Sequence, residues 1–241
     1  MSKVYFISDA HLGLGPKDEE RKKESRLIAF LEYIMRDAAQ LFIVGDLFDA
    51  WLEYRTVSPK GFHRLFTKLE ECGSRGITVH YLAGNHDYWM RDFFHDELGI
   101  KTYLDAFHIT IDGKNIFFHH GDGLAVKDTG YRILKHILRN PFNVWLYSWL
   151  HPDLGIALAR FSSKKSRRYT AAKDYGEEDG MVKFASERID DGFDVVIMGH
   201  CHKPICKQIG NGFYINLGDW ITHNTYAVME NGRIYLKKWE E

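Results

Sequence analysis

Five short stretches are built around Asp, His or Asn, four of them with glycine alongside: Asp9-Ala10-His11, Gly45-Asp46, Gly84-Asn85-His86-Asp87, His119-His120-Gly121-Asp122 and Gly199-His200-Cys201-His202. Asn216-Leu217-Gly218-Asp219 forms a sixth, weaker one. Their carboxylate, amide and imidazole groups are the oxygen and nitrogen donors of divalent metal sites. Asp9 and His11 lie two apart, so on extended chain they share a face and can reach one cation. Asp46 can give one oxygen to each of two ions, a bridge suited to cations about 3.5–4 Å apart. Asn85 adds a neutral carbonyl oxygen, and His120, His200 and His202 add nitrogen. The donors divide into Asp9, His11, Asp46 and His202 for one ion, and Asp46, Asn85, His120 and His200 for the other. Mixed nitrogen and oxygen ligation suits Mn2+, the expected ion, with Fe or Zn2+ as alternatives, and disfavours Ca2+. The chemistry expected of such a pair is hydrolysis by metal-activated water. A lone Asp or His at a strand end is more often a cap or a surface residue; the ordered set carries the inference.

These donors need elements that bring them together. The five stretches follow apolar runs that read as buried strands: Val4–Ile7, Leu41–Val44, Val79–Leu82, Ile116–Phe118 and Val195–Met198. Open α/β sheets place their sites beyond the carboxyl ends of strands. Leu27, Leu31 and Ile34 recur at helical spacing, as do Phe62, Leu65, Phe66 and Leu69, the second helix expected to open at Pro59 and close at Gly73. Residues 101–119 read as strands turning at Asp112-Gly113-Lys114. Phe213–Leu217, Thr225–Met229 and Ile234–Lys238 continue a meander after Met198, with hairpin turns at Asn211-Gly212 and Asn231-Gly232. Two such halves predict two stacked sheets with helices outside.

The stretch from about 123 to 175 breaks this pattern and is too long for a loop. Apolar residues recur at helical intervals from Tyr131 to Phe161, and Pro141 and Pro152 divide it into short helices. It reads as a helical lid inserted after His120 into a single domain spanning 1–241. Lys164-Lys165-Ser166-Arg167-Arg168 gives its end a positive run.

With 241 residues, 45% hydrophobic and 27% charged, the chain can bury a core without disulfide or metal staples. A formal charge of −1 supplies no general drive toward nucleic acid, and none is expected as a partner. Cys72, Cys201 and Cys206 make no disulfide framework and fit a reducing compartment. Strand residues begin by Val4, leaving no room for a signal peptide, and no apolar run approaches the ~20 residues of a membrane span. The run from Lys17 to Lys23 reads as a solvated helix face. Asp87 and Asp122 are expected to hold histidines in orientation rather than bind metal, and the role of His223 stays open.

The order Asp-x-His, Gly-Asp, Gly-Asn-His-Asp, His-Gly-Asp and Gly-His-x-His resembles the calcineurin-like metallophosphoesterase superfamily. That resemblance implies a four-layer αββα sandwich of two mixed sheets, a dinuclear centre and hydrolysis of a phosphate ester or anhydride. It also implies that His120, which directly precedes glycine, is the ligand, and that His119 faces the other side of its strand. Within the superfamily, Gly45-Asp46-Leu47-Phe48-Asp49-Ala50-Trp51 and the insertion resemble the UDP-2,3-diacylglucosamine pyrophosphohydrolase family of lipid A biosynthesis. The resemblance implies cleavage of a UDP-linked acylated sugar to UMP and 2,3-diacylglucosamine 1-phosphate. It implies that Asp128, Ser166, Thr170 and Lys173 contact substrate with Asn85, His86 and His200, and that Asn85 and His86 act in catalysis. It further implies a cytoplasmic enzyme bound peripherally to the inner face of the inner membrane. Trp145, Tyr147, Trp149, Leu150 and Leu154 could line an acyl groove.

The chain departs from that family at two positions. His86 stands where the family usually has Arg, and Thr170 where it has Asn. His86 does match the wider superfamily, where the equivalent histidine contacts the scissile phosphate or protonates the leaving group. Two other readings follow from the same residues: a phosphoesterase acting on another nucleotide- or lipid-linked diphosphate or phosphodiester, and a non-catalytic lipid-binding module.

Overall fold

A computed structural model describes residues 2–127, 129–170 and 176–240, without the side chains of residues 160 and 164–170. In chain order the elements are β1 (Lys3–Ile7), α1 (Lys17–Ile34), β2 (Ala38–Val44), α2 (His63–Ser74), β3 (Thr78–Leu82), α3 (Phe93–Asp96), β4 (Lys101–Tyr103), β5 (Phe107–Ile111) and β6 (Lys114–Phe118). The insertion follows as α4 (Thr129–Arg139), α5 (Pro141–Tyr147) and α6 (Pro152–Thr170). The chain ends with α7 (Glu177–Asp190), β7 (Val195–Met198), β8 (Pro204–Ile209), β9 (Gly212–Leu217), β10 (Thr225–Glu230) and β11 (Arg233–Lys238).

Two mixed sheets form, ordered β11-β10-β1-β2-β3-β4 and β5-β6-β7-β9-β8. β1 to β4 run parallel, as do β6, β7 and β9, while β10, β11, β5 and β8 pair antiparallel at the flanks. Alternation along the parallel strands sends one set of side chains to each side. Phe6, Phe42 and Val44 meet Phe118, Ile197 and Ile215 between the sheets. Tyr5, Ile7, Leu41 and Ile43 face Leu27, Phe30, Leu31 and Leu65 of the outer helices. On the second sheet, Val196, Met198 and Tyr214 pack against Met181, Ala185 and Ile189 of α7. These layers make the expected αββα sandwich.

Several details differ from the sequence reading. Helix α2 opens at His63, not Pro59, because Phe62 sits in the left-handed region at φ 60° and breaks the helical run. The C-terminal meander does not stay in one sheet: β9 joins β7, whereas β10 crosses to pair with β1. The hairpin before β9 turns at Gly210-Asn211, with Gly212 already in the strand. Strand β8 and helix α7 carry no expectation from the sequence. Pro141 and Pro152 do open α5 and α6, where a missing N–H costs nothing.

Candidate metal centre

Every parallel strand of both sheets except the short β4 delivers polar residues to the same rim. Asp9 follows β1, Asp46 follows β2, Asn85 follows β3, His120 follows β6, His200 follows β7 and Asp219 follows β9. The chain turns sharply to do this: Asp9, His11, Asp46, His200 and His202 all have positive φ, between 44° and 71°. Such backbone is uncommon outside glycine and costs of order 1 kcal/mol or more per residue, so its concentration here marks a site held by its surroundings. Gly84 and Gly199 make room for it. A Cβ on Gly84 would overlap the Asp46 carboxylate, and one on Gly199 would overlap that of Asp9.

The donors converge. Oδ1 of Asp9 lies 3.3 Å from Nε2 of His202 and 3.7 Å from Nε2 of His11. The two Nε2 atoms of His11 and His202 face each other at 3.1 Å, a spacing that requires a proton or a cation between them. Oδ2 of Asp46 stands 3.6 Å from Nε2 of His11 and 3.2 Å from Nε2 of His120, between the two groups. The Asn85 amide oxygen is 3.2 Å from that same His120 nitrogen. Asp9, His11 and His202 form one compact donor group, and Asp46, His120 and His200 another. His11 and Asp46 also group with His86, which sequence reasoning placed on phosphate rather than metal. Among the described residues, no hydrogen bond of normal geometry reaches Asp9 Oδ1, although it is buried. An orphaned carboxylate oxygen among facing imidazoles fits a divalent cation better than any protein partner.

The surrounding side chains fix these donors. His120 Nδ1 pairs with the Val44 carbonyl at 3.0 Å, which puts the proton there and leaves Nε2 as a ligand. His86 Nδ1 likewise meets the Asp49 carbonyl at 2.8 Å, with the Ser163 hydroxyl of α6 at 3.3 Å. Asp219 accepts from the backbone of Ile221, Thr222 and His223 and lies 3.0 Å from Nδ1 of His223. His223 thereby belongs to the outer wall. His119 turns away as expected, accepting from Gly121 N–H and packing on Phe184.

Three expectations need correction. Asp87 holds no histidine: it accepts from the Leu47 and Gly84 N–H groups and from the Tyr81 hydroxyl, pinning the Asp46 loop to the Asn85 loop. Asp122 instead anchors α4, with Lys135 Nζ at 2.9 Å, Arg139 at 3.0 Å and the Tyr131 hydroxyl at 3.2 Å. The run from Lys17 to Lys23 is not wholly solvated. Lys23 is buried and donates to the His11 carbonyl at 2.6 Å, while Glu20 accepts from Gly13 and Gly15 N–H. Asp49, Glu20, Lys23, Lys135, Arg139 and Ser163 received no individual role from sequence reasoning. Only Asp49, inside the Gly45–Trp51 stretch, carried a signal.

Electrostatics agree with a cation-binding rim. Burial alone would lower the histidine values, yet at His120 and His11 the surrounding carboxylates prevail. His120 is pushed up to about 10, chiefly by Asp46, and His11 up to about 9 by Asp49, Asp9 and Asp46. Asp46 is held well below the usual carboxylate range against its burial, by His120 and His86. His200 goes down to about 4, from burial and the neighbouring His120. The same carboxylates that favour protons on His11 and His120 would favour a metal ion in their place.

A family model for calcineurin-like phosphoesterases matches residues 2–204. The chain belongs to the calcineurin-like phosphoesterase family. This phosphoesterase is 34% identical to a UDP-2,3-diacylglucosamine hydrolase of Porphyromonas gingivalis, covering 100% of the chain and 98% of that relative. It is 30% identical to a protein of the same description from Pseudomonas putida strain W619, covering 90% of each. The solved structure of an archaeal phosphodiesterase matches with a TM-score of 0.50 and 13% identity, covering 98% of each chain, which shows a common fold.

Beside the rim, the phosphoesterase encloses a cavity of about 430 Å³. Asn85 and His86 stand at one part of its wall, and Trp89, Leu134, Leu138 and Phe161 give most of the rest an apolar surface. Of the residues tied to substrate by sequence, Asp128 and Lys173 lie outside the described residues. Ser166 and Thr170 fall on the last turns of α6, where side chains are not described.

Proposed function

We propose that this phosphoesterase hydrolyses the diphosphate of UDP-2,3-diacylglucosamine to UMP and 2,3-diacylglucosamine 1-phosphate. The observation that carries this reading is the apolar cavity that begins at Asn85 and His86 and runs beneath the inserted helices, within the ~300–1,000 Å³ range of small-molecule sites. A diphosphate at the rim would direct the acylated sugar into that cavity. Full-length similarity to relatives described as UDP-2,3-diacylglucosamine hydrolases supports the same substrate.

Asp9, His11, Asp46 and His202 are assigned to one ion, and Asp46, Asn85, His120 and His200 to a second, with Mn2+ the expected metal. Held there, two such cations would supply a water of lowered pKa and polarise the phosphoryl oxygens. Asn85 and His86 hold the uridylyl-side phosphate, with His86 oriented through Nδ1 by the Asp49 carbonyl so that Nε2 can serve the departing oxygen. Asp128, Ser166, Thr170 and Lys173 are assigned to the sugar and its phosphate on the resemblance of their spacing.

The outer face of the insertion supports peripheral contact with a bilayer. Trp149, Phe142, Ile133 and Leu146 are each more than half exposed. An apolar surface of this kind suits the headgroup–acyl boundary. No described helix is long and apolar enough to cross a membrane. The exposed apolar surface, with an acylated substrate, favours a place at the cytoplasmic face of the inner membrane.

The test is release of UMP from UDP-2,3-diacylglucosamine, with metal-stripped protein as control. Metal-dependent release is the expected result. Absence of release, alongside turnover of a simple aryl phosphodiester, would assign the chain to another phosphoester substrate.

A further inference from the structure

The cavity next to the rim has one wall unlike the others. Lys135 and Arg139, one helical turn apart on α4, line it together with Asn85 and His86. Both are seated on the buried Asp122 carboxylate, at 2.9 and 3.0 Å, and Lys135 also donates to the Asp122 carbonyl at 3.0 Å. The Tyr131 hydroxyl donates to the same carboxylate. Arg139 is further fixed by stacking over Tyr88, 4.1 Å from the ring centre, and by the exposed Asp105 at 3.6 Å.

As anchors for α4 alone, two cations on one buried carboxylate exceed what neutralising it requires. Arg139 shares its charge with the solvent-exposed Asp105, while both cationic side chains lie along an otherwise mostly apolar cavity and are already immobilised. Placing an anion against them loses little rotamer entropy. Lysine also has three donors, of which Asp122 engages two.

We infer that Lys135 and Arg139 form an anion subsite for the phosphate that leaves with the acylated sugar. The inference rests on the reading given under Proposed function and specifies which side chains meet the second phosphate. In the intact diphosphate, that phosphate lies between the phosphorus attacked at the rim and the acyl chains in the cavity. Lys135 and Arg139 line the same cavity as Asn85 and His86 and would meet that phosphate there. They bind it in the substrate and neutralise the charge that gathers on its bridging oxygen as the P–O bond breaks.

The test compares two substrates in Lys135→Met and Lys135→Arg proteins whose melting temperatures match wild type. One substrate is UDP-2,3-diacylglucosamine. The other is bis(4-nitrophenyl) phosphate, which has a single phosphate and no acyl chain. Lys135→Met should lower kcat/KM for the diphosphate by about tenfold more than for the aryl diester, the loss of one charged hydrogen bond, and Lys135→Arg should restore most of it. Equal losses on both substrates would reduce Lys135 to an anchor of α4 and overturn the subsite, as would no loss on either.

Glucosamine 1-phosphate, used as an inhibitor of the aryl diester reaction, reads the subsite without the lipid substrate. A Ki raised about fivefold or more in Lys135→Met supports the subsite even if wild type releases no UMP, an outcome that would sink only the substrate assignment. An unchanged Ki would overturn the subsite itself.

Discussion

Lys23 Nζ donates to the carbonyl oxygen of His11 at 2.6 Å, so an ammonium on the first helix holds the backbone of a donor on the first loop. Glu20 completes the clamp, lying 3.1 Å from Lys23 and accepting from two N–H groups of the same loop. His11 needs such support because its φ of 44° is strained. Lys23→Met is expected to leave the sandwich folded and to weaken metal binding by about ten- to a hundredfold, as loss of an outer support does at other metal sites. Titration calorimetry with Mn2+ measures it; unchanged affinity would remove Lys23 from the support of the centre.

Asp46 lies between the two donor groups, within 3.6 Å of His11 and 3.2 Å of His120. Asp46→Ala should therefore abolish metal retention and turnover together. Elemental analysis beside an aryl phosphodiester assay reads both, and near-normal activity would reject the assignment.

Gly84 gives a test that alters no donor. A methyl group there would overlap the Asp46 carboxylate and its backbone N–H. Gly84→Ala is expected to lower metal affinity by at least about tenfold while the purified protein keeps its circular dichroism spectrum. An unaltered metal content at limiting Mn2+ would show that the Asp46 loop can yield.

The raised histidines give the pH dependence a definite sign. In the cation-free protein His11 and His120 keep their protons up to about 9 and about 10. A folded value above the unfolded one, about 6.5, stabilises fully below that point and loses its contribution as pH rises through the folded values. Metal-stripped protein should thus show a melting temperature that falls from about pH 6.5 and has lost the whole contribution above about pH 10. Metal uptake at neutral pH must displace these protons, so binding should release protons and weaken as pH falls. Calorimetry in buffers of different ionisation enthalpy counts them; no proton release would contradict the arrangement.

Trp149 is 74% exposed at the end of the α5 region. Trp149→Ser should weaken sedimentation with anionic phospholipid vesicles by about tenfold, the cost of losing one buried aromatic from the interface. Equal sedimentation would place the bilayer elsewhere.

The rim is readable from sequence because all five donor stretches place metal-ligating side chains after a β-branched or aromatic run, and four of them add a turn-permitting glycine. Neither composition nor periodicity marks β8, whose residues Pro204–Ile209 include Lys207 and Gln208, since an edge strand exposes one side to solvent. Helix α7 stayed hidden because its buried positions include the small residues Gly180 and Ala185, too weak a stripe to register. Asp87 and Asp122 were misread for another reason. A carboxylate that binds backbone N–H groups or a distant helix has no local sequence pattern, and only folding shows what it meets.

The centre draws its donors from both ends of the chain. Asp9 accepts from the His200 backbone at 2.9 Å, and β10 lies against β1. During synthesis, β1 therefore waits with one edge bare until more than two hundred further residues have emerged. Strand edges left open in this way invite pairing with other chains. Capture of both cations can come only after His200 and His202 have emerged and docked beside Asp9, so cation occupancy reports that the two halves of the centre have met.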